Sequence, residues 1–242
     1  NACERQALAR QVAEQKETLE IFTRALAHDL KEPIRSILSF MELLGNDKSL
    51  GAESRNYTRI AASTAEHMER LVDSVHDYTQ LDEADLSENR KRCPATKLVS
   101  QALENLSQQL SESKNEIMVE ELPWIDANEP QVVSLFQNLV SNALNYCDKE
   151  VAKVWISAEL SDGKCVFTVK DNGPGVPQEL SGRVFKPFKR LSDGLRRGSG
   201  LGLSICKKIV HKNGGEIWLE PSHGEGATFR FSLPAAASLE SA

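Results

Sequence analysis

Two long runs of regularly spaced apolar residues dominate the first third of the chain and limit how it can fold. The first run begins at Leu8 and ends at Leu44, and the second begins at Tyr57 and ends at Leu81. Within each run the apolar residues mostly lie three, four or seven positions apart, which places them on one side of an α-helix. The stretch 45–51 between the runs contains two glycines, an Asn and an Asp, which favour a turn. The pattern therefore predicts two helices in an antiparallel hairpin.

Two helices of this kind cannot cover both flanks of their own apolar seam. A second copy of the hairpin would complete a four-helix bundle, so the sequence predicts a homodimer. The alternative is a hairpin that packs against the rest of its own chain.

Composition excludes several classes of protein. The 242 residues include 29 Lys and Arg against 35 Asp and Glu, a formal net charge of −6, so the overall charge does not favour nucleic acid as a partner. The five cysteines lie far apart without a C-x-x-C pair, which argues against a disulfide framework or a zinc site. No signal-peptide pattern and no run of about 20 apolar residues is found, so we expect a cytoplasmic core. Because the first residue is Asn, we expect this core to come from a longer protein.

After a short charged connector the pattern becomes a mixture of helices and strands. We expect a first domain at 1–87, the connector at 88–92, a second domain at 93–234 and a tail at 235–242. Within the second domain, helices are predicted near 98–110, 131–147 and 201–213, short strands at 117–119 and 124–125, and β-hairpins formed by 151–160 with 165–169 and by 217–219 with 227–233. These elements predict an α+β sandwich with helices on one face of a mixed sheet.

The helix predicted at 131–147 has an unusual polar face. No residue from Pro130 to Cys147 is charged, although 26% of the whole chain is. Neutral polar residues recur there every three or four positions, namely Gln131, Ser134, Asn138, Asn142 and Asn145. Amide oxygens at this spacing suit a Mg²⁺ ion that already carries phosphate ligands. Taken alone, the helix could equally present a buried hydrogen-bonding face.

Two glycine motifs follow this helix. Asp171-x-Gly173-x-Gly175 stands at the end of a predicted strand, where a buried carboxylate can accept from the amino group of adenine and the glycines leave room for a flat ring. The alternative for this motif alone is a tight turn. Gly198-x-Gly200-x-Gly202 opens a predicted helix, where exposed backbone N–H groups can bind phosphate. The two motifs and the amide-rich helix, in this order, predict a nucleotide site.

Together these motifs resemble those of sensor histidine kinases. Asn138-x-x-x-Asn142, Asp171-x-Gly173-x-Gly175, Phe185-x-x-Phe188 and Gly198-x-Gly200-x-Gly202 are similar to the N, G1, F and G2 boxes, and the segment 28–33 is similar to the phosphoacceptor H-box. The resemblance covers nearly the whole chain and is strongest to kinase cores attached to phytochrome-like sensors. It implies a dimeric antiparallel helical hairpin followed by an ATP-binding α/β sandwich of the Bergerat type.

The resemblance also implies catalytic and metal-binding roles. His28 would be the nucleophile that receives the phosphoryl group of ATP, and Asp29 would orient its ring. Asn142 would hold Mg²⁺, and Asn138 would assist at Mg²⁺ or phosphate. The four other histidines, at 67, 76, 211 and 223, are expected to be structural or exposed to solvent.

Further residues would surround the nucleotide. Asp171 would accept from the adenine amino group, Thr228 would support this contact through a water molecule, and Tyr146 would lie against the nucleotide. Gly198, Gly200 and Gly202 would close on the phosphates. Phe185 and Phe188 would anchor a mobile lid at 189–197, in which Arg196 and Arg197 would lie near the phosphates or simply in solvent.

The function implied is autophosphorylation of His28 from Mg-ATP, followed by transfer to an aspartate in the receiver domain of a response regulator. A sensor domain would lie outside this fragment. Glu32 stands where many relatives have Thr or Asn, which argues against phosphatase activity, and Asn145 stands where Lys or Arg is common, which predicts modest nucleotide affinity. Asn138 stands where related ATPases have a glutamate that activates water, so hydrolysis is disfavoured. The alternative function is a signalling pseudokinase or dimerisation module that transfers no phosphoryl group.

Overall fold

The computed structural model describes residues 30–31, 33–46, 51–83, 90–111, 114–161, 163–187, 200–220 and 226–236. Several sequence predictions concern residues outside these ranges: His28, Asp29, Glu32, Phe188, Gly198, His223, the lid 189–197 and most of the tail. The chain divides into two compact units, Asn1–Glu83 and Ala84–Ala242, which we call the helical unit and the mixed unit.

The helical unit is an antiparallel hairpin. Its helices are α1, with helical backbone at 30–31 and 33–45, and α2, Ala52–Glu83. Lys31 pairs with Asp73 at 2.6 Å, and Arg35 pairs with Glu69 at 3.3 Å. A step of four residues forward along α1 therefore matches a step of four residues back along α2. The predicted hairpin is confirmed.

Only a narrow strip of the hairpin is buried. Ile34, Ala65 and Val72 form its core, and Leu38 packs against them. Several large apolar side chains stay exposed on both helices: Leu30, Ile37, Phe40, Leu43, Leu44, Tyr57, Ile60 and Met68. The described hairpin thus leaves a substantial apolar surface uncovered. This agrees with the prediction that two helices cannot cover both flanks of their own apolar seam.

The mixed unit contains seven strands and five helices in its described residues. The strands are β1 (Lys91–Pro94), β2 (Asn115–Val119), β3 (Trp124–Ala127), β4 (Ala152–Ser161), β5 (Lys164–Asp171), β6 (Ile217–Glu220) and β7 (Thr228–Pro234). The helices are α3 (Ala95–Asn105), α4 (Ser107–Ser111), α5 (Glu129–Tyr146), α6 (Gln178–Ser181) and α7 (Gly202–Lys212). Five strands form one sheet in the order β2-β4-β5-β7-β6. β2 and β4 are parallel and the other neighbours are antiparallel, so the predicted mixed sheet and both β-hairpins are confirmed.

A second, two-stranded sheet includes the last two residues of the expected connector. β1 pairs antiparallel with β3, with Lys91 opposite Ala127 and Arg92 opposite Asp126. The sequence predicts a linker at 88–92 because four of these five residues are charged, and in the structure Lys91 and Arg92 are exposed. Pairing with β3 nevertheless makes them part of the mixed unit. The helix predicted near 98–110 is likewise two helices, α3 and α4, which meet at residue 106.

Three phenylalanines fix α5 on the sheet. The rings of Phe167 on β5 and Phe231 on β7 stack with centroids 5.0 Å apart, and Phe136 of α5 meets both edge-on at 5.8 and 5.5 Å. At about 100° per residue, Asn138 and Asn142 then lie well away from the sheet-facing side of α5. The four cysteines in the described part are free thiols, as predicted. Among the described helices, none has the length and apolar character of a membrane span.

Candidate functional site

The ends of α5 and α7 are tied together by a buried asparagine that sequence reasoning missed. Asn213 is fully buried just after α7, and its Nδ2 donates to Gln131 Oε1 at 3.1 Å. Its Oδ1 accepts from the backbone N–H of Asn128 at 3.1 Å. Asn128 in turn caps α5 by accepting from the backbone N–H of Gln131 at 3.3 Å. These bonds fix the position of α7 along α5.

The first residue of α7 lies against the amide face of α5. A Cβ atom built on Gly202 would lie 2.8 Å from Asn138 Oδ1 and 3.9 Å from Asn142 Nδ2, so a larger residue here would displace the Asn138 amide. Asn138 donates from Nδ2 to the backbone oxygen of Ser134 at 2.9 Å, which leaves its Oδ1 facing α7. The side chain of Asn142 has no hydrogen bond to any described residue. The oxygen of Asn138 and the unused amide group of Asn142 thus lie beside the glycine-rich start of α7.

Asp171 is a buried carboxylate at the end of β5. Its side chain is 8% exposed, and Oδ1 accepts from the backbone N–H of Gly173 at 2.8 Å and of Ala227 at 2.9 Å. Burial raises the pKa of Asp171, and the two backbone bonds and the positive charge of Lys149 oppose this rise. Both bonds use Oδ1, so Oδ2 keeps its lone pairs for a donor on a ligand.

The backbone approaches Asp171 closely on two sides. Gly226 has φ +90°, and a Cβ atom there would lie 1.8 Å from the main-chain oxygen of Asp171. A Cβ atom on Gly173 would lie 3.0 Å from Asp171 Oδ1 and 3.7 Å from the main-chain oxygen of Tyr146. The glycine loop after β5 therefore runs beside the end of α5 and brings Tyr146, Asp171 and Gly173 together. Gly175 continues this loop with φ +76°.

Asn172, which the sequence did not single out, anchors the same loop. Its Oδ1 accepts from the backbone N–H of Lys153 at 2.8 Å, and its Nδ2 donates to the main-chain oxygen of Val151 at 3.0 Å. The thiol of Cys147 also donates to Oδ1 at 3.5 Å. The loop is thereby attached to the start of β4 and to the residue that follows α5.

Thr228 makes no direct hydrogen bond to the Asp171 carboxylate. In the ladder between β5 and β7, Thr228 lies opposite Lys170, whereas Asp171 belongs to the other face of the sheet. The neighbouring residue Ala227 makes the contact instead, through its backbone: its N–H donates to Asp171 Oδ1, and its carbonyl accepts from the Asp171 N–H at 2.9 Å. The water-mediated role expected for Thr228 stays a prediction.

Asn145 is held in a closed ring of three hydrogen bonds. Gln109 Nε2 of α4 donates to Asn145 Oδ1 at 3.1 Å, Asn145 Nδ2 donates to Ser141 Oγ at 3.2 Å, and Ser141 Oγ donates to Gln109 Oε1 at 3.2 Å. Both ends of the Asn145 amide are therefore used within the protein. This arrangement agrees with the expectation that Asn145 adds little to phosphate binding.

Two further predicted residues, Phe185 and Gly200, lie on either side of the segment predicted to be the lid. The ring of Phe185 meets Phe229 of β7 edge-on at 6.3 Å, which attaches the segment before the lid to the sheet. Gly200, just before α7, has φ +71°. Within the described ranges no group of three or more His, Cys, Asp or Glu could hold a metal ion. A cation at this site would therefore depend on amide oxygens and on ligands supplied by the nucleotide.

Comparison with known proteins gives two family matches. Residues 18–84 match the His Kinase A (phospho-acceptor) domain, and residues 127–237 match the histidine kinase-, DNA gyrase B-, and HSP90-like ATPase family. Cyanobacterial phytochrome A of Nostoc sp. is 33% identical over 230 residues, which are 94% of this chain and 30% of that protein. Phytochrome-like protein Cph1 of Synechocystis sp. is 33% identical over 232 residues, again 94% of this chain and 30% of that protein. The chain thus spans under a third of the length of these relatives.

The fold also matches a solved structure over most of the chain. The crystal structure of full-length ShkA in complex with AMPPNP has a TM-score of 0.69 and 29% sequence identity to this chain. The match covers 89% of this chain and 46% of that one.

Proposed function

Since this chain belongs to the sensor histidine kinases, we propose that it is the catalytic core of one, which transfers the γ-phosphoryl group of ATP to His28 and then to an aspartate of a response-regulator receiver domain. One observation carries the proposal: the segment that matches the ATPase family contains both a buried carboxylate, Asp171, and the amide face of α5. A phospho-acceptor match precedes this segment in the chain.

The Asp171 end of the site suits adenine. The two backbone N–H bonds to Oδ1 hold the carboxylate in place and favour its ionised form, so that Oδ2 can accept from the adenine amino group. Gly173 carries no side chain beside the end of α5, which leaves more room for the flat ring than a larger residue would. These features together give selectivity for a base that carries an amino group.

The α7 end of the site suits the phosphates. Backbone N–H groups at the start of α7 and the helix dipole favour negative charge, and Gly202 lets the phosphates come near Asn138 and Asn142. The donor set fits Mg²⁺, because neutral amide oxygens with phosphate and water satisfy this ion without an acidic cluster. Asn142 would hold the ion, with Asn138 beside it. When bound, Mg²⁺ neutralises charge on the phosphates.

His28 is proposed as the phosphoryl acceptor from its place in the phospho-acceptor match. A neutral imidazole has a lone pair on one ring nitrogen, and its ordinary pKa of about 6.5 leaves it largely neutral at pH 7 and above. That nitrogen forms a bond to the γ-phosphorus while the bond to the bridging oxygen breaks, and ADP leaves. Asp29 would accept the N–H of the other ring nitrogen and so orient the ring.

The exposed apolar residues of the hairpin support a homodimer. Ile37 and Phe40 on α1 and Ile60 and Met68 on α2 are all more than two-fifths exposed, although their spacing is that of core residues. A second hairpin would bury them in a four-helix bundle.

The proposal is tested by incubating the chain with Mg²⁺ and γ-labelled ATP. We expect acid-labile, base-stable label that is lost in His28→Gln and retained in the control His211→Gln, which removes an exposed histidine at the end of α7. Asn142→Ala should abolish labelling and leave the dimer intact. Label that persists in His28→Gln would refute the assignment of the acceptor. A folded wild-type dimer that binds ATP and takes up no label would instead identify a pseudokinase.

A further inference from the structure

Asn172 continues the ladder between β4 and β5 with its side chain. Its backbone N–H donates to the main-chain oxygen of Lys153 at 3.2 Å. The Lys153 N–H donates to the side-chain Oδ1 of Asn172 at 2.8 Å, where a regular antiparallel ladder would use the main-chain carbonyl of residue 172. The other end of the amide, Nδ2, donates to the main-chain oxygen of Val151 at 3.0 Å. The side chain thus replaces a main-chain group in the ladder.

This replacement lets the peptide between Asn172 and Gly173 turn out of the sheet. Because the carbonyl and the N–H of one peptide lie in a plane, the rotation that withdraws the Asn172 carbonyl from the ladder also sets the direction of the Gly173 N–H. That N–H donates to Asp171 Oδ1 at 2.8 Å. The Lys153 N–H meanwhile keeps an acceptor. The Asn172 side chain therefore permits the turn that directs a donor at the buried carboxylate.

Asp171 is also held by bonds that do not involve Asn172. The Ala227 N–H donates to Oδ1 at 2.9 Å, and the Asp171 N–H donates to the Ala227 carbonyl at 2.9 Å. Without the Asn172 amide, the carboxylate would therefore stay at the end of β5. The Lys153 N–H, however, could regain an acceptor in the ladder only if the carbonyl of residue 172 turned back toward β4. This rotation would take the Gly173 N–H away from Asp171.

We propose that Asn172 is a positioning residue for adenine recognition, because its amide takes over a ladder bond of β4 and so keeps the Gly173 N–H on the Asp171 carboxylate. This inference rests on the proposed function, in which Asp171 Oδ2 accepts from the adenine amino group. Loss of one of the two donors on Oδ1 leaves Oδ2 less well directed and the carboxylate less well stabilised. Both ends of the Asn172 amide bond to backbone groups at 151–153, so we expect the residue to act through Asp171.

The test measures selectivity for the adenine amino group by binding alone. Dissociation constants are measured in the full chain for ATP and for purine riboside triphosphate, which lacks that amino group, and their ratio gives the preference for ATP. We expect Asn172→Ala to lower this preference by about five- to twentyfold, because one of the two N–H donors still holds the carboxylate. The KM for ATP in the labelling of His28 should rise by the same factor. The labelling rate at saturating ATP should stay unchanged, because the phosphate end of the site is intact.

Two further variants separate positioning from stability. Asn115→Ala is the matched control, because Asn115 is the first residue of β2 and its Nδ2 donates to the main-chain oxygen of Leu110 at 2.6 Å. It should lower the melting temperature about as much as Asn172→Ala does and leave the preference for ATP unchanged. Asn172→Asp keeps the acceptor for the Lys153 N–H, and its added charge acts equally on the two triphosphates. It should therefore retain most of the preference.

The outcomes distinguish this inference from the proposed function. An unchanged preference in Asn172→Ala, or an equal fall in Asn115→Ala or Asn172→Asp, would overturn the inference and leave the proposed function standing. A wild-type chain that binds both triphosphates equally would overturn the assignment of Asp171 and this inference with it. A wild-type chain that prefers ATP but takes up no label would overturn the proposed phosphoryl transfer alone.

Discussion

Replacement of Asp171 by Asn separates nucleotide recognition from folding. Asn has nearly the size of Asp, and its amide oxygen can still accept the N–H bonds of Gly173 and Ala227 that now reach Oδ1 at 2.8 and 2.9 Å. The amide NH₂ then takes the place of Oδ2. This NH₂ group is a hydrogen-bond donor, and so is the adenine amino group that it would face. The contact with the base is therefore lost.

The expected loss of affinity is large. A hydrogen bond to a charged acceptor contributes about 1.5–3 kcal/mol, and leaving buried donors unpaired costs about 1–3 kcal/mol more. A combined loss of about 3–5 kcal/mol weakens ATP binding by a factor of hundreds to thousands. The phosphate end of the site is unchanged, so the effect should be equal for ATP and ADP.

Stability should change little, and the sign follows from the pKa. Burial raises the pKa of Asp171 above its ordinary value of 3.8, so the folded chain binds this proton more tightly than the unfolded chain does. Ionisation of Asp171 therefore lowers stability as the pH rises from 3.8 through the raised pKa. The Asp171→Asn variant would avoid this cost but make weaker bonds to the two N–H groups. We expect a melting temperature within a few degrees of wild type.

The assay is titration of a fluorescent ATP analogue at pH 7.5, with thermal melting alongside. Asp148→Asn, an exposed carboxylate just after α5, is the control and should bind like wild type. Wild-type affinity should also fall as the pH drops toward the raised pKa of Asp171, whereas Asp171→Asn should lack this dependence. If Asp171→Asn binds within fivefold of wild type, the assignment of Asp171 to the adenine amino group is wrong.

Three other substitutions test particular features of the structure. Gly226→Ala, at φ +90° with main-chain atoms in the way, should lower the melting temperature by many degrees and abolish nucleotide binding, whereas Gly163→Ala, at φ +75° in open space, should cost only about 1 kcal/mol by chemical denaturation. Thr228→Val should change ATP affinity less than threefold, because Thr228 makes no direct hydrogen bond to Asp171, and a tenfold loss would instead support a water-mediated contact. Phe40→Asp should convert the dimer to monomers in sedimentation velocity, whereas Leu160→Asp, at a similarly exposed leucine, should not.

The sequence was sufficient for the family and the fold class, and both predictions are confirmed. Helical spacing from residue 57 to 81 and strand alternation in 151–169 are local signals. They can be recognised without knowing which elements pack against them. β1 was missed because its identity depends on a partner 32 residues away: Cys93 pairs with Ile125, and nothing in the charged segment before it alternates. A four-residue strand with two exposed cations has no recognisable local pattern.

The face of the sheet on which Thr228 lies could be predicted from the sequence, because the required signal was present. Phe229, Phe231 and Leu233 alternate along the predicted strand and must face the helices, so Thr228 must face the other way. The role expected for Thr228 came from the resemblance to sensor histidine kinases and not from this alternation. The contribution of Ala227, in contrast, comes entirely from its backbone, and no side-chain pattern could have identified it.

The amide residues on the polar face of α5 have the same helical spacing, but they differ in their hydrogen bonds. Gln131, Asn138 and Asn145 each use their amides within the protein, whereas Asn142 has no hydrogen-bond partner among the described residues. An amide that the fold does not use is the one left for a ligand. Asn145→Ala should therefore open the ring with Gln109 and lower the free energy of unfolding by about 1–3 kcal/mol, with little change in ATP affinity.

Asn142→Ala should have the opposite effect: unchanged stability in chemical denaturation and weaker Mg-ATP binding. The two substitutions remove the same chemical group three residues apart on one helix, so each is the control for the other. Equal losses of stability in both variants would show that the face is a buried hydrogen-bonding surface throughout. Loss of Mg-ATP binding confined to Asn142→Ala would assign the ligand to that amide, because only its environment distinguishes it from Asn145.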